Sequence, residues 1–115
     1  MEEEKLFKLV LLKDAHDFLK SLPQKTVAKI FKNIDIVAAG NKDRNLFKKL
    51  KNSEIWEFRT EYGGNAYRLF AFWDTNMETL VVATHGILKK TQKTPQKEIE
   101  KAEKIRENYF KENNN

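Results

Sequence analysis

The stretch from Ile55 to Lys90 constrains this chain more than any other. Ile55 to Tyr62 and Ala66 to Asp74 are dense in aromatic and aliphatic residues and alternate with period two, the pattern of half-buried strands. Between them, Gly63-Gly64-Asn65 tolerates positive φ and reads as a hairpin turn. Thr75 to Glu78 forms a second turn, and Thr79 to Leu88, with Val81-Val82 near its middle, a third strand. The expectation is an antiparallel three-strand meander.

Successive side chains of a strand point to opposite faces. Trp56, Phe58 and Tyr62 therefore share one face, and Ile55, Glu57, Arg59 and Glu61 the other. On the second strand Tyr67, Leu69, Ala71 and Trp73 oppose Arg68, Phe70, Phe72 and Asp74. With Trp56 and Phe58 packed on the core beside Leu69 and Ala71, Arg59 and Arg68 project together from the more open side of the sheet. Two adjacent guanidiniums repel unless an anion joins them. His85, Lys89 and Lys90 add a histidine and two ammonium groups at the rim, and the whole reads as an anion-binding sheet. Trp56, Phe58, Phe70, Phe72 and Trp73 are read as core rather than as platforms for bases.

At 115 residues the chain is expected to form one domain over residues 1–115, large enough for its own core. A formal charge of +5 favours an anionic partner, without separating nucleic acid from an acidic protein or a membrane surface. The absence of cysteine excludes disulfides and thiolate metal sites and fits a cytoplasmic location. Two histidines cannot build a histidine-rich metal site, so neither metal nor other cofactor is expected. Met1 to Glu4 is acidic and lacks the pattern of a signal peptide. No apolar run approaches the roughly 20 residues that span a bilayer.

Along the chain, Lys5 to Leu12 has the apolar density of a first strand, with Leu6, Phe7, Leu9 and Val10 available for burial. Asp14 is placed to cap a helix in which Ala15, Phe18, Leu19 and Leu22 recur at helical spacing. Pro23 stops that helix and fits the first turn of the next, where Val27, Ile30, Phe31, Ile34, Val37 and Ala38 form the best-patterned stripe and Gly40 ends it. The resulting αα-hairpin covers one face of the sheet. Asn41 to Ser53 is a polar connection carrying Lys42, Arg44, Lys48, Lys49 and Lys51 against Asp43 alone, tacked to the core by Leu46, Phe47 and Leu50. After the sheet, Thr94 and Pro95 are suited to open a helix buried through Ile99, Ala102, Ile105 and Tyr109. The last residues, Asn113 to Asn115, are expected to fray. The order β, α, α, β, β, β, α is of the α+β class.

At this point the chain resembles the RelE superfamily of type II toxins, and within it the HigB-like, phage-derived branch. The resemblance rests on the element order and on Leu50-Lys51, Trp56-Glu57-Phe58-Arg59, Tyr67-Arg68-Leu69 and the run from His85 through Lys89-Lys90-Thr91-Gln92-Lys93-Thr94-Pro95. It implies an mRNA endoribonuclease acting in the ribosomal decoding site, which inhibits translation and is silenced by a helix-turn-helix antitoxin. Cleavage in such toxins is attack of a ribose 2′-hydroxyl on the adjacent phosphate, which needs a base, positive charge for the phosphorane and an acid, but no metal. By position, Arg59 and Arg68 match the superfamily's sheet arginines, and Lys89 or Lys90 its basic residue after the last strand. Where better-studied relatives carry lysine two residues before the arginine, this chain has Glu57. The base assignment therefore does not carry across, and Glu57 either pairs with the arginines or takes the proton itself. No tyrosine closely follows Lys90, and Tyr109 lies too far along the last helix to stand in for one.

Each of these residues also has a plainer reading. Arg59 and Arg68 can be solvated sheet residues paired with Glu57 and Glu61. His85 is either an acid or base of suitable pKa or an imidazole packed and bonded to backbone. Lys89 and Lys90, followed by Lys93, suit phosphate contact, while Lys48, Lys49 and Lys51 suit steering of mRNA or rRNA. A RelE-like module that binds RNA, ribosome or protein without cleaving is the competing function.

Overall fold

The computed structural model describes residues 5–77, 79–90 and 93–113. Expectations that fall on Met1–Glu4, Glu78, Thr91, Gln92, Asn114 and Asn115 lie outside the described residues. The elements are β1 (Lys8–Leu11), α1 (Lys13–Lys20), α2 (Gln24–Ala38), β2 (Phe47–Lys49), β3 (Trp56–Tyr62), β4 (Asn65–Trp73), β5 (Leu80–Lys89) and α3 (Gln96–Asn113). The five strands form a sheet in the order β1-β5-β4-β3-β2. β3, β4 and β5 are the expected antiparallel meander, with Gly63 and Gly64 at positive φ in the first turn. β1 lies at one edge, parallel to β5.

Several expectations change. The polar connection contains a third antiparallel neighbour, the short edge strand β2, in which Phe47 turns toward Phe58 and Lys48 pairs across from Glu57. β1 is shorter than Lys5–Leu12, and Leu6 and Val10 stay exposed while Phe7 is buried. Asp14 is not a cap: Leu12 takes that position without a side-chain bond, and Asp14 lies in the first turn, where the helix dipole favours a negative charge.

Both faces of the sheet are covered. α1 and α2 pack Leu19, Ile30, Ile34 and Val37 on Phe58, Leu69, Ala71 and Val81. Asn33 of α2 donates a buried hydrogen bond to Thr60 of β3 at 3.2 Å. Gly40 closes α2 at φ +111°, a conformation that glycine adopts without strain. The opposite face, expected to be the open one, is closed over much of its area by α3. Ala102, Ile99, Tyr109 and Phe110 of α3 pack on Ile55, Phe70, Phe72 and Val82. Tyr109 donates to Asp74 at 2.6 Å and so ties the far end of α3 to the β4–β5 turn.

Candidate anion site

Strand register places three rows of side chains on the α3 face. Lys48, Glu57, Phe70 and His85 make one row, Arg59, Arg68 and Ile87 the next, and Glu61, Ala66 and Lys89 the third. Arg59 and Arg68 are direct cross-strand partners. Like charges in that position are unfavourable, and Glu57 supplies the counter-charge. Its Oε1 lies 3.5 Å from Arg59 Nε and 3.7 Å from Arg68 Nε. The Glu57 and Arg68 side chains are 3% and 4% exposed, that of Arg59 26%. Arg68 is thus a buried residue rather than a surface one, because β5 flanks it on the side away from Arg59.

The remaining bonds fix the two guanidiniums in place. Arg68 Nη1 donates to the Tyr67 carbonyl at 3.0 Å, and Arg59 Nη1 to the Arg44 carbonyl at 3.4 Å. Among the described residues neither buried Nε–H group has a hydrogen-bond acceptor, Glu57 being near enough for charge but not for a bond. Glu57 Oε2 accepts the hydroxyl of Thr94 at 2.9 Å. The hydroxyl assigned to cap α3 is therefore spent on the carboxylate, and it anchors the approach to α3 beside the cluster.

Burial and charge repulsion act together on Arg68 and Lys89. Burial, reinforced by the positive charge of Arg59, pushes the Arg68 pKa down. Lys89 is also pushed down, first by its partial burial and then by Arg68, with Glu57 opposing and Arg59 and Lys48 adding to the effect. Against Glu57, and Glu61 in the row beyond, the four cations Lys48, Arg59, Arg68 and Lys89 leave an excess of positive charge, so the arrangement can hold an anion and stabilise negative charge that develops on it.

His85 stands apart from this group. Phe70 pairs with His85 and Ala71 with Ala83, so Thr84 is the extra residue of a β-bulge. That bulge turns His85 onto the α3 face, a direction that alternation alone left open. Its ring lies 4.8 Å from that of Phe70, and its Nε2 is 3.1 Å from Glu98 Oε1. Burial lowers its pKa more than Glu98 raises it. The neutral ring then donates Nε2–H to the carboxylate, and Nδ1 accepts the Thr84 hydroxyl at 3.0 Å. Two strand spacings, roughly 10 Å, separate its row position from that of Glu57. The geometry gives His85 a bonded partner on α3 and not a place among the arginines.

Of the other basic candidates, Lys48 joins the cluster while Lys49 turns to the opposite face and pairs loosely with Glu54 at 3.9 Å. Lys51 is exposed in the β2–β3 turn, and Lys90 and Lys93 are exposed after β5. Thr94 and Arg44 were missed. Arg44 acts through its carbonyl, which no side-chain pattern signals, and Thr94 reads locally as a cap. Among the described residues no group of three or more His, Asp or Glu side chains is placed to hold a metal ion, and no helix is long and apolar enough to cross a membrane.

A sheet of this order with an αα-hairpin on one face and a C-terminal helix on the other is the fold of RelE toxins. The chain is similar to E. coli toxin RelE, seen in the free state with two arginine-to-alanine substitutions, at a TM-score of 0.62 and 14% identity over 89% of this chain and 97% of that one. It is also similar to the archaeal RelE–RelB complex from Pyrococcus horikoshii OT3, at a TM-score of 0.52 and 16% identity over 77% and 99%. The chain belongs to the family described as phage-derived protein Gp49-like, whose model matches residues 17–107. That span holds every member of the cluster. No curated protein matches the sequence.

Proposed function

We propose that this protein is the toxin of a type II toxin–antitoxin pair of the HigB-like kind, and that it cuts mRNA on the ribosome. The observation that carries this reading is Glu57 held between the opposed Arg59 and Arg68, with Lys48 and Lys89 alongside. A scissile phosphate at this cluster meets the part-exposed Arg59 and the ammonium groups of Lys48 and Lys89, with the buried Arg68 adding its charge from within the sheet, the charge that a pentavalent phosphorane requires. Metal-independent cleavage then needs a proton taken from the 2′-hydroxyl and one given to the leaving 5′-oxygen. Glu57 is the carboxylate between the two arginines, and Lys89 is an ammonium whose pKa is lowered by burial and by the charge of Arg68. These two are the acid–base pair of the proposal.

The exposed Lys49, Lys51, Lys90 and Lys93 steer mRNA and rRNA phosphates. The partner that silences the protein is a cognate antitoxin, and the P. horikoshii neighbour, a RelE–RelB complex, supports a protein partner; its helix-turn-helix type follows from the sequence resemblance alone. Substrate and ribosome put the site of action in the cytoplasm.

The test is induced expression in a bacterial host with primer extension on cellular mRNA, comparing wild type with Arg59→Ala and Arg59→Ala/Arg68→Ala. Growth arrest with new 5′ ends inside translated frames, lost in both folded variants, is the expected result. Intact mRNA from a folded wild-type protein would instead make this a RelE-like module that binds RNA or protein without cutting. Glu57 favours that second reading to the extent that both its oxygens already have partners.

A further inference from the structure

Across the edge strand from the cluster, on the α1–α2 face, lies a groove of about 520 Å³ that the cleavage chemistry does not use. Its walls are Phe7, Val37, Phe47, Trp56 and Trp73, with the exposed Leu6 at the mouth. Phe47 stacks on Trp56 at 4.7 Å, and Trp73 meets Phe7 edge-on at 5.5 Å, so the indoles are fixed in orientation. Both are partly exposed, and they are the chain's two tryptophans. Around this apolar floor stand Lys42, Arg44, Lys48 and Lys49, and among the described residues none that lines the groove is acidic.

The groove is continuous with the anion site. The Arg44 carbonyl accepts Arg59 Nη1, and Lys48 shares the row of Glu57 and bears electrostatically on Lys89. β2 is the outermost strand, and one strand spacing is about 4.8 Å. A chain of phosphates crossing from Arg59 past Lys48 therefore arrives at the groove after passing a single strand.

We propose that this groove is a subsite for a nucleobase of the same RNA, the base stacking on Trp56 and Trp73 while the flanking phosphate lies among Lys42, Arg44 and Lys49. The inference rests on the cluster binding RNA. Aromatic walls inside a cationic rim are the arrangement by which proteins take single-stranded nucleic acid with little sequence preference, because every base has a π-face. The scarcity of polar wall groups fits stacking without edge readout. The four cations also fit an acidic, apolar protein segment, but contact with the Arg59 site favours the nucleotide.

The two tryptophans make the groove its own reporter. The full chain is titrated with a fluorescently labelled single-stranded 2′-O-methyl RNA hexanucleotide, which lacks the attacking hydroxyl. Anisotropy follows binding, and tryptophan emission follows the groove. Quenching in step with anisotropy is expected, with each of Trp56→Phe and Trp73→Phe removing part of it. An oligonucleotide abasic at one internal position should bind about tenfold more weakly and quench less, and Lys42→Ser/Lys49→Ser should weaken binding several-fold and flatten its salt dependence. Binding without quenching, or equal quenching by an abasic strand, overturns the subsite and leaves the cluster's reading intact. Quenching by an acidic amphipathic peptide but not by RNA assigns the groove to a protein and likewise overturns it. No RNA binding at all removes the subsite, and the mapping of cellular cuts then decides the cleavage reading by itself.

Discussion

Arg59 and Arg68 face each other directly across the β3–β4 ladder, and the single Oε1 of Glu57 lies within 3.7 Å of both Nε atoms. Opposed guanidiniums destabilise a sheet unless a negative charge bridges them. Here the bridge is internal, and it approaches the Nε edge of each guanidinium. The fold therefore carries a positively charged site in a stable form, at the cost of a carboxylate that competes with any incoming anion.

Glu57→Gln separates the two roles of that carboxylate. Removing the charge raises the positive excess of the cluster, so RNA affinity should rise and its dependence on salt steepen. If Glu57 takes the 2′-hydroxyl proton, cleavage should nevertheless fall by about 10²- to 10⁴-fold. Binding by anisotropy and cutting by gel on the same preparation distinguish the cases. Tighter binding with undiminished cutting would leave Lys89 as the proton acceptor.

The burial difference between the arginines predicts unequal costs. Arg68→Ala leaves Glu57, 3% exposed, without one of its two arginine partners, and breaking a buried pair costs about 3 kcal/mol or more. Arg59 is 26% exposed, so solvent screens the loss and Arg59→Ala should cost about 1 kcal/mol. Denaturant unfolding of the two single variants measures this order. Equal, small losses would mean that water reaches Glu57 freely.

Much of this architecture was legible because it depends on period and punctuation. The meander, the Gly63-Gly64 turn, the α2 stripe and the pairing of Arg59 with Arg68 follow from alternation and turn chemistry. What was not legible depends on tertiary partners. β2 is three residues long, too short for a period to register, and without it Lys48 has no assigned place. The face of His85 is set by the Thr84 bulge, which one strand's alternation cannot reveal. The burial of Arg68 and the true partner of Thr94 follow from β5 and α3 closing over a face that the sheet pattern alone left open.

Gly86 illustrates the same dependence and is open to test. A Cβ built there would fall 2.2 Å from the Phe18 ring of α1. Side chains cannot share that space, so Gly86→Ala must move α1 off β5 and should cost about 2 kcal/mol. Phe18→Ala in the same chain should recover part of the loss, since it removes the Cγ, Cδ2 and Cε2 atoms in conflict. A double variant no more stable than Gly86→Ala alone would place the strain elsewhere.

The buried imidazole predicts a stability that depends on mildly acidic pH. His85 has its pKa lowered mainly by burial, with Lys101 also opposing the charge and Glu98 and Asp14 favouring it. Its folded pKa lies below the unfolded value of about 6.5, so the unfolded chain binds the proton first. The stabilising contribution is complete above that value and declines as pH falls through it toward the folded pKa. Unfolding free energies between pH 7.5 and pH 5 should fall more steeply for wild type than for His85→Gln. Parallel curves would show that the imidazole titrates alike in both states.

At the other end of α3, the hydroxyl of Tyr109 gives an independent measure of how firmly the helix is seated. The hydrogen bond to Asp74, assisted by burial and by that carboxylate's charge, holds its pKa up to about 12. Of the three tyrosines, one should therefore ionise about two units above the ordinary 10 in an ultraviolet titration of the folded protein. The folded pKa is raised, so this contribution is present below about pH 10 and is lost as pH climbs toward 12. Tyr109→Phe should remove the late step, lower stability by about 1–2 kcal/mol and leave RNA binding unchanged, because Asp74 lies at the opposite end of β4 from Arg68. A late step that survives in Tyr109→Phe would overturn the assignment, leaving α3 seated by its apolar contacts, the His85–Glu98 pair, the Glu54–Glu103 hydrogen bond and the Asp14–Lys101 ion pair.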